Sequence, residues 1–170
     1  AIVESIGHVM DDVVKVTLFL QDIADLEAVN TVYREFFPSY VPTRTVLAVA
    51  ALPMGAAIEM DAIISNGEGT LPQAPCPLVK LARNSEHAPQ SPLYTQTVAF
   101  SHYNNIAAQL PIDMATGKLV SGGIKEQAAQ CLRHIKTVLE SIDVPLDDIV
   151  KVTIYLTNLA DLDAVNEVYT

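Results

Sequence analysis

The 170-residue chain has few cysteines, few basic residues and no long apolar run. Its two cysteines, Cys76 and Cys131, form no Cys-x-x-Cys pair, which is typical of a reducing compartment and predicts a cytoplasmic protein. Ten basic residues against 20 acidic ones give a net charge of −10, whereas nucleic-acid binding relies on Lys and Arg. No apolar run reaches the roughly 18 residues that a membrane span needs. We therefore expect neither nucleic acid nor membrane as a partner.

The usual signatures of metal binding and catalysis are also missing. His8, His87, His102 and His134 have no spacing to one another or to cysteine that suits a zinc site. The chain contains no GxSxG, HExxH, P-loop or GxGxxG motif. Any active site must therefore be built from residues outside these motifs.

One stretch of the sequence occurs twice. Residues 4–33 read ESIGHVMDDVVKVTLFLQDIADLEAVNTVY, and residues 140–169 read ESIDVPLDDIVKVTIYLTNLADLDAVNEVY, at an offset of 136. This period is the size of a whole small domain, so we predict two homologous domains in tandem. Each chain end aligns with the inside of a predicted helix, which predicts an interior part of a longer protein.

The predicted domain boundaries follow from this repeat. Residues 1–64 form the C-terminal half of a first domain, residues 65–90 a Pro-rich linker, and residues 91–170 the N-terminal part of a second domain. The alternative for the Pro-rich stretch is a long structured loop.

Periodicity predicts the elements of each copy. In the first copy we expect a strand over 13–20, a helix over 26–37 ended by Pro38, and strands over 42–52 and 56–64 that form a hairpin. In the second copy we expect strands over 93–101, 103–113 and 149–156 and helices over 124–142 and from 162. A complete period would run β-β-β-α-β-α-β-β. This predicts an α+β fold whose sheet is covered by helices on one face.

Arg44 and Glu59 are the most suggestive pair for chemistry. Arg44 begins a strand after Pro42-Thr43, and its planar fork can hold a carboxylate with two hydrogen bonds. Glu59 interrupts an apolar strand, where it either points into solvent or is held in a cleft for proton transfer. A surface charge is the corresponding alternative for Arg44.

These residues resemble a known family. KVTLFLQDIADLEAVNTVYREFF followed by PTRTVLAVAALPMGAAIEMDAII is similar to the C-terminal half of the RidA/YjgF family, also called L-PSP endoribonucleases. SPLYTQTVAF with IAAQLPIDMATGKLVSGGIKEQAAQCLRHIKTVLES is similar to its N-terminal half. The resemblance implies a chorismate-mutase-like fold and homotrimers with a small-molecule cleft at each subunit interface. It also implies hydrolysis of 2-enamine and 2-imine acids of the 2-aminoacrylate/2-iminopropanoate type to 2-keto acids and ammonia, without metal or organic cofactor.

The resemblance also assigns roles to residues. Arg44 would clamp the substrate carboxylate, and Glu59 would activate water or relay protons. The residues implied to line the substrate site are Asn30, Val46, Tyr94, Ala107, Ala108 and Gln109.

Two positions depart from the family pattern. Val46 stands where the family often has Cys, and Ala107-Ala108 stands where deaminating members commonly have Ser-Gly. The missing hydroxyl supports an alternative function, a non-catalytic module that binds a small carboxylate. A ribonuclease or translation inhibitor, the third reading, fits poorly with the acidic charge.

Overall fold

The computed structural model describes residues 2–65, 81–100 and 103–169. The chain divides into two compact units, Ala1–Asn84 with Gln90–Ala108, and Ser85–Pro89 with Gln109–Thr170. The first unit contains α1 (Ile2–Ser5), β1 (Val13–Leu20), α2 (Leu26–Phe36), β2 (Thr43–Ala48), β3 (Ile58–Ile64), β4 (Leu81–Arg83), β5 (Thr97–Phe100) and β6 (Tyr103–Ile106). The second contains α3 (Ile124–Glu140) and α4 (Leu162–Tyr169). The predicted α+β class is confirmed, and the first of its two sheets is mixed.

β1 is the central strand of the first sheet, whose order is β2-β1-β3. β2 is parallel to β1, and α2 forms the crossover between them, as a parallel connection requires. β3 is antiparallel to β1 on its other side. The predicted β2–β3 hairpin is therefore wrong. β1 is the most buried strand and needs partners along both edges, because unpaired backbone groups in a core are costly.

The core of this unit lies between the sheet and α2. Val16 and Leu18 of β1 pack there with Tyr33 of α2 and with Phe37. Leu18 has no exposed surface. α2 ends just before Pro38, as predicted, and the Phe37 amide still donates to the Tyr33 carbonyl at 3.2 Å. The pattern of apolar residues therefore sets which face of the sheet α2 covers.

The second sheet has the antiparallel order β4-β5-β6. β4, residues 81–83, lies within the predicted linker over 65–90 and pairs with β5. Residues 66–80 of that linker lie outside the described residues. β5 and β6 are shorter than the predicted strands over 93–101 and 103–113. Two residues after β6, the Ala108 amide donates to the Arg44 carbonyl of β2 at 3.2 Å.

The second unit is built on α3. On the core face of this helix, His134, Val138 and Leu139 are buried. His134 Nε2 lies 2.8 Å from the Ile112 carbonyl oxygen and 3.1 Å from Gln130 Nε2, so the buried ring joins α3 to the segment before it and has a structural role. No helix of the described residues is long and apolar enough to cross a membrane.

The second copy of the β1 sequence, residues 149–156, is not a strand, so that prediction is wrong. Val150 is 83% exposed, whereas its equivalent Val14 is fully buried. Short-range structure is nevertheless repeated after both segments. Asp22 Oδ1 accepts from the Ala24 amide at 2.9 Å, and the equivalent Asn158 Oδ1 accepts from the Ala160 amide at 3.1 Å. A turn forms from local contacts, whereas a strand needs partners far along the chain.

This difference gives a stability test with a built-in control. Leu18→Ala should lower the free energy of unfolding by about 2–5 kcal/mol, because it leaves a cavity in the core. Ile154→Ala, at the equivalent position of the repeat, should change it by less than about 0.5 kcal/mol. Urea unfolding of both variants at low protein concentration measures the two values. Equal losses would contradict the assignment of β1 as the central strand.

Candidate functional site

Arg44 is the centre of a buried polar cluster in the first unit. It pairs with Val16 across β1 and β2, so its side chain lies on the sheet face that α2 covers, and it is 8% exposed. Its Nη1 donates to Asn30 Oδ1 at 2.8 Å. Asn30, itself 2% exposed, donates from Nδ2 to Glu27 Oε1 at 3.2 Å. The helix thus orients the guanidinium through a neutral amide.

Two tyrosines lie close to this guanidinium. The Arg44 Cζ atom lies 5.1 Å from the centroid of the Tyr33 ring, a cation–π distance. Burial lowers the pKa of Arg44, and the nearby phenols of Tyr33 and Tyr94 act in the opposite direction. Burial likewise raises the pKa of Tyr94, while the Arg44 charge lowers it. Burial raises the pKa of Tyr33 in the same way, again against the lowering effect of Arg44, so both phenols stay neutral beside the cation.

The cluster holds a positive charge and two polar atoms that lack partners. Arg44 Nε and Tyr33 Oη are buried and have no hydrogen-bond partner among the described residues. None of the carboxylates in the described ranges forms an ion pair with Arg44. The Glu27 carboxylate acts on Arg44 electrostatically but is joined to it only through Asn30, and a buried cation without a contacting counter-ion costs free energy. The arrangement is therefore suited to a small anion that accepts from Arg44.

Backbone groups of β2 and of the 107–108 segment adjoin this cluster. The Val49 amide donates to the Leu20 carbonyl, so odd-numbered residues of β2 turn their backbone groups towards β1. Even-numbered residues turn theirs to the outer edge, where the Arg44 carbonyl accepts from Ala108. The Val46 amide lies on that same edge, while its side chain packs against the core.

Ala107 and Gln109 precede and follow Ala108 in the sequence. The Ala107 amide donates to the Gln96 carbonyl at 2.9 Å, and its side chain is buried. Gln109 belongs to the second unit, where its carbonyl accepts from Cys131 Sγ at 3.3 Å.

Glu59 does not share a face of the sheet with Arg44. It pairs with Phe19, three residues along β1 from the Val16 that pairs with Arg44. Side chains three apart on a strand lie on opposite faces. Glu59 is also exposed, on the opposite side of β1 from β2. One chain therefore brings Arg44, Asn30 and Tyr94 together and leaves Glu59 apart.

Tyr33 also belongs to this cluster, although it was not among the residues predicted to form the site. It lies three residues after Asn30 on α2, and residues at that spacing share one face of a helix. The spacing of Asn30 and Tyr33 is therefore the sequence signal that could have identified Tyr33. Among the described residues, no group of three or more His, Cys, Asp or Glu side chains is placed to hold a metal ion.

Comparison with known proteins gives the family. The sequence profile of the family described as endoribonuclease L-PSP matches residues 1–65 and 85–170. The chain belongs to this family, also called RidA/YjgF.

Individual RidA/YjgF relatives match parts of the chain. A RutC family protein of Pyrococcus horikoshii is 42% identical over 87 residues, which are 50% of this chain and 68% of that protein. A 2-iminobutanoate/2-iminopropanoate deaminase of Dermatophagoides farinae is 44% identical over 64 residues, 38% of this chain and 50% of that protein. The crystal structure of the E. coli YjgF gene product matches at 38% identity and a TM-score of 0.38, covering 39% of this chain and 55% of that one. The chain thus spans about half to two thirds of these relatives.

The unpartnered hydroxyl of Tyr33 gives a test of the cluster geometry. Tyr33→Phe keeps the ring under Arg44 and removes a buried polar atom that has no partner among the described residues, so the unfolding free energy should stay the same or rise by up to about 1 kcal/mol. Tyr169→Phe, the equivalent exposed position of the repeat, should be neutral. Denaturant unfolding without added anions measures both. A loss above about 0.5 kcal/mol for Tyr33→Phe would mean that the hydroxyl is hydrogen-bonded.

Proposed function

We propose that this RidA/YjgF protein is a hydrolytic deaminase of 2-enamine and 2-imine acids, of the 2-aminoacrylate/2-iminopropanoate type. The observation that carries the proposal is the buried Arg44 guanidinium, which forms no direct ion pair with a carboxylate of the described residues and keeps an unused Nε–H. Relatives from Dermatophagoides farinae and from human are named 2-iminobutanoate/2-iminopropanoate deaminase, which supports the same substrate class.

Arg44 would bind the carboxylate that all these substrates share. A charge-assisted hydrogen bond from Nε–H would satisfy that donor, and the anion would neutralise the buried charge. The Val46 amide, at the outer edge of the same strand, could donate a further hydrogen bond. Tyr94 would line the cleft beside the imine carbon. Asn30 would keep the guanidinium in place rather than contact the reacting atoms.

The chemistry would be acid–base hydrolysis. Water adds to the imine carbon while a base takes a proton from it and the imine nitrogen gains one. In the resulting carbinolamine a second proton passes from the hydroxyl to the nitrogen, the C–N bond breaks, and ammonia leaves the 2-keto acid. Glu59 is the proposed base and proton relay. Because it lies on the other face of the sheet from Arg44, the proposal requires Glu59 of a neighbouring copy to reach the Arg44 cleft. A homo-oligomer, expected to be a trimer, would supply that copy, and the tandem arrangement would hold neighbouring domains together.

A second candidate function is a non-catalytic module that binds a small carboxylate. It is favoured by Ala107, a buried residue with no hydroxyl where deaminating members commonly have Ser. This module would retain the Arg44 cluster and bind keto acids without turning over imines. Release of ammonia from freshly generated 2-iminopropanoate separates the two functions.

The Arg44 clamp is tested by a change that keeps its charge. Arg44→Lys loses the planar fork, so the affinity for pyruvate should fall by about 1.5–3 kcal/mol, or roughly 10–150-fold. Isothermal titration calorimetry measures it, with Arg133→Lys on the exposed side of α3 as the matched control. Unchanged pyruvate affinity in Arg44→Lys would remove Arg44 from the binding site.

Glu59 is tested by turnover. Glu59→Gln should fold normally, because the side chain is exposed, and should lower kcat by roughly 10²–10⁴-fold. Glu35→Gln makes the same chemical change at an exposed position of α2 and should leave kcat unchanged. A spectrophotometric assay of keto-acid release gives both values. Near-normal turnover in Glu59→Gln would show that this carboxylate is merely solvated.

A further inference from the structure

Glu27 is joined to Arg44 by a continuous chain of hydrogen bonds through Asn30. Asn30 Nδ2 donates to Glu27 Oε1 at 3.2 Å, and Arg44 Nη1 donates to Asn30 Oδ1 at 2.8 Å. Glu27 and Asn30 lie three residues apart on α2, so they share one face of the helix. Asn30 is 2% exposed, whereas Glu27 lies at the surface. The hydrogen bonds therefore connect the surface of α2 with the buried guanidinium.

The Asn30 amide can serve both neighbours in one orientation only. A side-chain amide accepts at its oxygen and donates at its nitrogen, whereas a guanidinium only donates and an ionised carboxylate only accepts. If the amide were reversed, its NH₂ group would face the donors of Arg44 and its oxygen would face the carboxylate of Glu27. Both hydrogen bonds would then be lost. Glu27 therefore selects the orientation in which Asn30 accepts from Arg44.

The neutral amide also keeps the charge of Arg44 available to a ligand. A carboxylate at position 30 would orient the guanidinium equally well but would neutralise it. Burial is the largest influence on the pKa of Arg44 and lowers it; among smaller influences the Glu27 carboxylate raises this pKa and the Arg34 cation lowers it. Because the charges of Glu27 and Arg34 oppose each other, the hydrogen bond to Asn30 is the contribution that distinguishes Glu27.

We propose that Glu27 is a positioning residue for the carboxylate clamp: through Asn30 it holds the Arg44 guanidinium in one orientation, with Nε–H left for the substrate. A donor group that is already fixed loses less conformational freedom when the anion binds, so the affinity is higher. This inference rests on the part of the proposed function in which Arg44 binds a carboxylate. It does not require that the bound acid be turned over.

The first test compares two substitutions of Glu27 by their affinity for pyruvate. Glu27→Gln keeps an acceptor oxygen for Asn30 and removes only the charge, so the affinity should stay within about twofold of wild type. Glu27→Ala removes the acceptor as well and should weaken pyruvate binding roughly 3–10-fold. Both variants lose the same favourable charge in the first turn of α2. Isothermal titration calorimetry on the full chain gives the affinities.

Glu35 provides the matched control, because it is an exposed glutamate of the same helix. Glu35→Gln and Glu35→Ala should both leave the pyruvate affinity unchanged. Glu27 is also exposed, and Ala and Gln favour helices, so all four variants should fold normally.

A second measurement needs no ligand. NMR spectroscopy of the guanidinium protons reports how fast the Arg44 guanidinium rotates about its Cζ–Nε bond. This rotation should be faster in Glu27→Ala than in wild type and unchanged in Glu27→Gln, since only the first variant releases the Asn30 amide. A purely structural role of Glu27 in the helix would not produce this difference.

The outcomes separate this inference from the proposed reaction. Pyruvate affinities that are equal in Glu27→Gln and Glu27→Ala, or an Arg44 rotation that is the same in both, would overturn the positioning role and leave the clamp standing. The expected difference between the two variants without ammonia release from 2-iminopropanoate would support the positioning role and overturn the deaminase. Absence of pyruvate binding to the wild-type chain would overturn both.

Discussion

The hydrogen bonding of β1 on both of its edges is the constraint on which the first unit depends. It fixes β2 on one side and β3 on the other, and the register on each side decides where every side chain of those strands points. Arg44 is thereby turned towards α2, where Asn30 and Tyr33 meet it. Glu59 is turned the other way by the same register. Both the construction of the Arg44 cluster and the separation of Glu59 from it follow from this single strand.

Predictions that rest on local sequence agree closely with the structure. The bounds of β1 and the end of α2 before Pro38 follow from alternation, helical periodicity and proline. Pairing could not be predicted in the same way. The residues after β2 and before β3 have the composition of a hairpin turn, yet β2 pairs with β1, because the crossover through α2 delivers it there. Residues 149–156 show the same limit, because nearly the same eight residues form a strand at 13–20 and do not form one at 149–156.

The candidate site was predictable to a similar extent. Arg44 was named from its place at the start of a strand and Asn30 from the family resemblance, and the structure joins them by a hydrogen bond. The role of Tyr33 required knowing which face of α2 meets the sheet. The separation of Arg44 and Glu59 depended on strand order, which no local pattern encodes. Their spacing of 15 residues suggested neighbours on a hairpin, and two intervening strand pairings place them on opposite faces.

The duplication of the β1 sequence also has a consequence for how the chain reaches its native state. Two segments can fill the gap between β2 and β3, and they differ there mainly by Ile154 in place of Leu18 and Tyr155 in place of Phe19. A molecule that collapses with the wrong segment in that gap would be compact and would bury nearly the same apolar surface. It would have to reopen before β1 could enter, so refolding would divide into a direct fast route and a slow route through this trap. The repeat thus makes the folding landscape rougher at the position that organises the fold.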